Sequence, residues 1–348
     1  MSASESLFDE KIVERNRTVM VTGGTGYIGK NLVRALLKRG FIVNLLVREN
    51  SSLSGLEGCN LFLGDITDGE SIRPALENCA FVFHLAAKVK AWSRDPKEFD
   101  RVNVEGYETL LRLCGESGVK KVMHTSSFIV FGPSEDRPHT ETSQRRVPPF
   151  NDYDRTKTLA EDISFKYTAE GRIITTLYPT VVYGTGELTD GNLVARLIQM
   201  FDRGMLPGLI GGGLQKWNFV HVEDVVAGHL AAMRRSQPGR YILGGEDISL
   251  VDFFALVAER MGRRPPRMKI PLAIAKMVGW LEELRGRWGN HDPLMTRQAV
   301  EIFARNWTFS SEKAKRELNY QPRPLSTGLN EFIQWMSQQN LIHAKNPQ

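Results

Sequence analysis

Tyr153-Asp154-Arg155-Thr156-Lys157 sets a phenol and an ammonium at positions i and i+4. On a helix these two side chains share a face. A phenol titrates at about 10, too high for efficient proton transfer at neutral pH, and a neighbouring ammonium favours its ionised form and lowers that value. The same spacing is common on ordinary helices, so its meaning depends on its company. Thr125-Ser126-Ser127 follows an apolar run that ends at His124. At the carboxyl end of a strand, a serine hydroxyl can donate to a carbonyl oxygen and stabilise developing alkoxide charge. Capping of the turn toward Gly132-Pro133 would use the same hydroxyls. Far upstream, Gly23, Gly26 and Gly29 form a GxxGxxG pattern within Thr22-Gly23-Gly24-Thr25-Gly26-Tyr27-Ile28-Gly29. Such glycines permit a tight turn and close main-chain approach to a pyrophosphate seated on a helix N-terminus.

These groups work together only if a sheet brings them to one edge. Residues 18–21, 41–47, 60–63, 81–85, 121–124 and 173–177 read as strands, and residues 27–39, 98–116 and 152–170 as helices. Alternation of this kind, with nearly continuous apolar strands, predicts an α/β Rossmann fold, a doubly wound parallel sheet covered on both faces. Later residues give a helix at 225–234, a strand at 241–243 and mostly helices from Ser249 onward. Breaks fall at Arg263-Arg264-Pro265-Pro266, at residues 286–293 and at Gln321-Pro322-Arg323-Pro324. The expected organisation is an extension (1–16), an NAD(P)-binding Rossmann domain (17–180), a smaller, mostly helical substrate-binding region (181–340) interleaved with the last sheet elements, and a tail (341–348). Open α/β sheets bind ligands at the carboxyl ends of their strands, so the helical region is expected to cover that edge.

The end of the second strand bears on the cofactor. An acid there holds the ribose 2′-OH of NAD, whereas this chain has Val47-Arg48. The missing acid and the arginine favour a 2′-phosphate, hence NADP(H); the alternative is a solvated strand-end cation. Asp65 is placed to hydrogen-bond an adenine amine with Ile66 packed on the ring, or else to cap a helix through Gly69-Glu70.

Taken in order, Gly23-x-x-Gly26-x-x-Gly29, Asp65, His84-Leu85-Ala86-Ala87, Asn103, Ser127, Tyr153-x-x-x-Lys157 and Tyr178-Pro179-Thr180-Val181-Val182-Tyr183-Gly184 resemble the pattern of extended short-chain dehydrogenases/reductases, the NAD-dependent epimerase/dehydratase family. The resemblance spans about residues 17–338. It is most similar to the dihydroflavonol-reductase-like branch, which includes plant farnesol dehydrogenase and the hopanoid-associated sugar epimerase proteins. The resemblance implies that Ser127 orients a carbonyl, that Tyr153 is the general acid/base, that Lys157 tunes Tyr153 and binds the nicotinamide ribose, and that Asn103 holds a water linking Lys157 to solvent. It implies cofactor contacts from Gly23, Thr25, Gly26, Tyr27, Ile28, Gly29, Arg48, Asp65, Ile66, Leu85, Ala86, Ala87 and Val182, with Pro179 near the nicotinamide. Kinship with farnesol dehydrogenase keeps NAD(H) open. Nucleotide-sugar epimerases and dehydratases typically have Arg-Pro where this chain has Tyr178-Pro179, and the dehydratases add an acidic pair where it has Phe128 and Ile129. Dehydration of a sugar nucleotide is thereby disfavoured, and hydride exchange between an alcohol and a carbonyl remains. The competing readings are a sugar-nucleotide epimerase with tightly held NAD and an NAD(P)-binding protein without chemistry. A homodimer through helices 98–116 and 152–170 is implied in the same way.

For the substrate, Lys88, Trp92, Phe131, Val182, Tyr183, Leu188, Trp217 and Phe219 are candidate pocket walls. They suit a small hydrophobic ketone or aldehyde, isoprenoid or flavonoid-like, and each also suits core packing. Lys88, Lys90 and Arg94 would meet a cofactor phosphate or an acidic substrate, or form a solvated loop. His221-Val222-Glu223-Asp224 reads as a helix start at Asp224 with a structural histidine, and no metal site is expected. Residues 271–288 carry an apolar face with Trp280, Trp288, Lys276, Arg285 and Arg287, fitting a lid, a packing helix or a membrane-surface contact. The 348 residues include 45 Lys+Arg and 40 Asp+Glu, a net charge of +5, interleaved rather than blocked, which argues against a nucleic-acid partner. Cys59, Cys79 and Cys114 have no CxxC pairing, which points to a reducing compartment without a disulfide scaffold or structural zinc. Asp9, Glu10 and Glu14 interrupt the first residues, and residues 271–281 are too short to span a bilayer. A soluble, cytoplasmic protein is expected.

Overall fold

A computed structural model describes residues 17–343 except 91, 190, 207 and 289–294. The expected extension, most of the tail, most of the break at 286–293 and the side chains of Arg287 and Trp288 lie outside the described residues. The strands are β1 (Thr18–Thr22), β2 (Ile42–Val47), β3 (Asn60–Leu63), β4 (Phe81–His84), β5 (Lys121–Thr125), β6 (Ile174–Pro179), β7 (Val181–Tyr183), β8 (Gly208–Ile210), β9 (Lys216–His221), β10 (Gly239–Leu243), β11 (Glu246–Ser249) and β12 (Met268–Ile270). The helices are α1 (Tyr27–Lys38), α2 (Gly69–Ile72), α3 (Lys97–Asp100), α4 (Gly106–Glu116), α5 (Asp152–Ala169), α6 (Leu193–Asp202), α7 (Val222–Met233), α8 (Leu250–Arg260), α9 (Leu272–Trp288), α10 (Arg297–Phe303), α11 (Glu312–Leu318) and α12 (Leu325–Gln338).

The central sheet has seven parallel strands in the order β10-β6-β5-β4-β1-β2-β3. Alternate residues of β1 explain its two covered faces. Val19 and Val21 pack with Leu32, Val33 and Leu36 of α1, while Met20 packs with Tyr107, Leu110 and Leu111 of α4. Burial of such side chains supplies about 1.5–3 kcal/mol each. The strand order reverses between β1 and β4, the place where doubly wound sheets open a crevice for a ligand.

The later region is less purely helical than expected. It gives β10 to the main sheet and adds the small sheets β11-β9-β7 and β12-β8. Its core gathers Trp217, Phe219, Phe253, Trp307 and Phe332, with Phe219 stacked on Phe253 at 4.3 Å. The helix expected over 98–116 is present and carries a π turn, Arg101–Glu105, between its segments α3 and α4. Helix α7 starts at Val222, earlier than expected, and its cap is His221, whose ring accepts from Glu223 N at 3.3 Å. Asp224 instead receives Arg323 N at 2.9 Å and Arg323 Nε at 3.1 Å, tying α7 to the segment before α12. A similar shift occurs after β3. Asp68 caps α2 by accepting from Glu70 N at 3.1 Å, while Asp65 Oδ1 accepts from Thr67 N and Oγ1 at 2.9 and 2.7 Å. Asp65 is therefore not the helix cap.

Candidate active site

The glycine-rich turn joins β1 to α1 at the switch point. Gly23 has φ +70°, and a Cβ there would lie 2.5 Å from Ala86 N. A Cβ on Gly29 would overlap Gly23 O, whereas one on Gly26 would meet only Gly23 O at 3.2 Å. The turn is thus closed against β4 and open on the side of Gly26. Gly26 is the N-cap of α1, has no side chain to accept from the first-turn N–H groups, and the turn carries no acid. This arrangement fits the pyrophosphate of a dinucleotide, which takes those N–H groups and the positive end of the helix. Thr25, Ile28, Leu85, Ala86 and Ala87 are partly exposed around the turn, and Arg48 is exposed at the end of β2. Tyr27 is less exposed than these. Its side chain is buried and its hydroxyl donates to Gly184 O at 2.7 Å, so only its main chain is left for a cofactor. Lys30 is buried and pairs with Glu187.

Across the cleft, α5 begins with Asn151 accepting from Asp154 N at 2.9 Å. This start places Tyr153 and Lys157 on the face toward β5 and the Ser127 turn. Tyr153 is partly buried. Burial raises its phenol above the ordinary value, hydrogen bonding with Ser127 draws it down, and the Asp154 charge pushes it up. Lys157 is buried, donates to Thr125 O at 2.8 Å, and is lowered by burial to about 8. The ammonium of Lys157 is thus held on the β5 main chain, and the group that draws the Tyr153 phenol down is Ser127. Ser127 also caps the 3₁₀ turn Phe128–Phe131 through Ile129 N at 3.4 Å, the turn-capping role expected of these hydroxyls.

Asn103 lies in the π turn. Its Oδ1 accepts from Lys88 N at 2.7 Å, and its Nδ2 donates to Thr156 Oγ1 at 3.0 Å and Lys88 O at 3.3 Å. The amide thus fastens the loop after β4 to α5, leaving one lone pair of Oδ1 for a water. Lys88 itself pairs with Glu98 at 2.6 Å.

Several candidate wall residues are core instead. Phe131, Tyr183, Trp217 and Phe219 are nearly fully buried, and Pro179 is buried at the end of β6. Trp92, Val182 and Leu188 remain partly exposed. Phe128 and Phe150, which were not singled out as walls, are partly buried near Ser127 and Tyr153 and lie edge-on to Trp307 at 5.3 and 6.1 Å. Tyr178, where some relatives have arginine, is fully buried; its hydroxyl bonds Glu161 and receives Arg240 Nε at 2.8 Å.

Two further groups escaped sequence reasoning. Arg145 forks onto Asp154 with bonds of 2.7 and 2.6 Å and also donates to Ile129 O at 2.7 Å. One guanidinium thereby ties the residue beside Tyr153 to the turn that begins at Ser127. Beneath Lys157, His229 Nδ1 donates to Val225 O at 2.8 Å, which leaves Nε2 to accept from Thr125 Oγ1 at 2.8 Å. Next to it, His84, Tyr107 and His124 stack with centroid spacings of 4.7 and 4.2 Å. The only signal in the sequence was histidine at the end of two buried strands.

Comparison with known proteins agrees with this geometry. Residues 19–244 match the NAD dependent epimerase/dehydratase family. The chain is 30% identical over 333 residues to sterol demethylase protein B of Methylococcus capsulatus, covering 93% of this chain and 100% of that protein. It is 29% identical over 321 residues to a 3-beta-hydroxysteroid dehydrogenase of Mycolicibacterium neoaurum, covering 87% of each. The solved structure of MoeE5 in complex with UDP-glucuronic acid and NAD superposes with a TM-score of 0.73 at 26% identity, over 92% of this chain and 99% of that one. With a Rossmann sheet, a glycine cradle at its switch point and relatives named as dehydrogenases, the chain belongs to the NAD dependent epimerase/dehydratase family and is an extended short-chain dehydrogenase/reductase, an NAD(P)-dependent oxidoreductase.

Proposed function

We propose that the protein exchanges a hydride between NADP(H) and a secondary or allylic alcohol, or the matching carbonyl, of a small hydrophobic substrate. The observation that supports this reading is hydrogen bonding between Ser127 and Tyr153, whose chain neighbours Phe128 and partly buried Phe150 pack edge-on against Trp307. Ser127 donates to the substrate oxygen and Tyr153 gives or takes the proton there. Lys157, fixed on Thr125 O, holds positive charge below the site and would bind the nicotinamide ribose. The turn Gly23–Gly29 with Thr25 and Ile28 would hold the pyrophosphate, Asp65 and Ile66 the adenine, and Leu85, Ala86, Ala87, Pro179 and Val182 the nicotinamide half. When bound, the nicotinamide supplies or accepts the hydride. The aromatic surroundings favour isoprenoid, sterol-like or flavonoid-like carbonyls over sugar nucleotides, and the hydroxysteroid dehydrogenase relative supports that class.

Exposed Arg48, with Val47 rather than an acid as the last residue of β2, supports NADP(H) over NAD(H). Arg48→Ala should lower kcat/KM for NADPH about tenfold or more, the loss of one charge-assisted phosphate contact, while changing the NADH value little. A steady-state screen of hydrophobic carbonyls and UDP-sugars with both cofactors tests the whole reading. Turnover of the carbonyls with freely exchanging NADPH supports it. Conversion of a UDP-sugar on tightly retained NAD(H) would replace it with the epimerase reading.

A further inference from the structure

Helix α9 is turned inside out. A surface helix ordinarily points its apolar stripe at the core. Here the buried face carries Ala275, Gly279, Glu283 and Gly286, and the outward face carries Ile274, Met277, Val278 and Leu281 at helical spacing, each between 44% and 56% exposed. Trp280 flanks that stripe at 46% exposure, and Leu272 is exposed at its start.

Local packing explains the inversion. A Cβ on Gly279 would sit 3.0 Å from Arg297 N, so the inner face is small because the start of α10 runs against it. Polar bonds fix the two helices together: Glu283 accepts from Arg297 N at 2.7 Å and Nη2 at 2.8 Å, and Lys276 pairs with Glu301. The apolar ridge is therefore presented by a helix pair joined by these bonds. A contiguous exposed ridge of this kind marks an interaction surface.

Charge selects the partner. Arg264, Arg267 and Lys269 are exposed on the approach to α9, and Arg285 is exposed one turn beyond Leu281 on the same stripe. The helix's acids lie off that stripe and are paired, Glu282 with Arg285 and Glu283 with Arg297. An apolar ridge with a flanking tryptophan, bordered by cations and free of outward acids, is complementary to an anionic lipid surface. Among the described residues no helix is long and apolar enough to cross a membrane. We propose that α9 seats the protein on a bilayer rich in anionic phospholipid, the helix lying in the interfacial plane with Ile274, Met277, Val278 and Leu281 inserted. None of these residues belongs to the active site, so this docking stands or falls separately from the reaction proposed above.

Co-sedimentation of the full-length protein with vesicles of phosphatidylcholine and phosphatidylglycerol in equal parts, against phosphatidylcholine alone, tests the proposal. The wild type should sediment with the anionic vesicles at low salt, less so at high salt. A blue shift of tryptophan emission on binding should be lost in Trp280→Phe. Met277→Ser with Leu281→Ser, and separately Arg264→Ser with Arg267→Ser, should each weaken partitioning about tenfold or more. Their circular dichroism and their turnover of a water-soluble carbonyl should match wild type, because all four positions are exposed. The proposal is overturned if the wild type fails to sediment with anionic vesicles at low salt, or if both variants sediment as it does. It is also overturned if light scattering shows a dimer that the Met277/Leu281 variant converts to monomer, for then a second copy covers the ridge.

Discussion

Burial moves the two titrating groups of the site in opposite senses. The phenol of Tyr153 is held high and the ammonium of Lys157 is lowered to about 8. Since kcat/KM reports groups of the free enzyme, it should fall above about pH 8 as Lys157 loses its proton, and a pH–rate profile checks this. Lys157→Arg, always charged, should remove that limb if it retains any turnover. Arg145 is the second residue to test. Its buried fork onto Asp154 is not by itself evidence of net stability, because desolvation offsets the attraction: burial raises Asp154 and Arg145 pulls it down. Removing the guanidinium leaves a buried carboxylate alone, so Arg145→Ala should cost about 3–5 kcal/mol in denaturant unfolding and lower kcat by misplacing Tyr153 against Ser127. The proposed roles of Tyr153, Lys157 and Ser127 follow from motif order. That of Arg145 does not, since Arg145-Arg146 before two prolines looks like a solvated loop until Asp154 and Ile129 O are brought to it.

At the scale of elements, the strand–helix alternation was legible because parallel strands buried on both faces are nearly continuous apolar runs. The π turn at Arg101–Glu105 was not, since one extra residue in a turn leaves the apolar periodicity of the flanking helices intact. Helix starts were misplaced for a similar reason. Asp65 and Asp68 are equally good caps in sequence, and only the chain path chooses Asp68. The glycine turn makes the sharpest element-level prediction. Gly29→Ala pushes a methyl into Gly23 O, so the variant should be less stable by about 1–3 kcal/mol and bind cofactor far more weakly. Thermal melts with and without NADPH check both parts, because the wild type should gain stability from the cofactor and the variant should not. Helix α9 shows the limit of periodicity: its apolar stripe was visible, but nothing in the sequence said that Gly279 and Glu283 would face inward.

Across the whole molecule, neutral histidines are built into the interior. Burial pushes His84 down to about 3, His221 and His229 to about 4, and His124 well below its ordinary value. In the unfolded chain these rings titrate near the ordinary 6.5. Between 6.5 and about 4 the unfolded state therefore binds more protons than the folded state, and stability falls as pH falls through that window. The urea midpoint should thus drop between about pH 7 and about pH 5, with most of the change present before the carboxylates titrate. The central claim is that this sheet edge assembles a proton-transferring tyrosine over a hydride-exchange site. Its most direct measurement pairs NADPH affinity with kcat on a hydrophobic carbonyl for wild type and Tyr153→Phe. The account predicts unchanged affinity and a fall in kcat of about a hundredfold or more. A phenylalanine variant that keeps most of its turnover would contradict it.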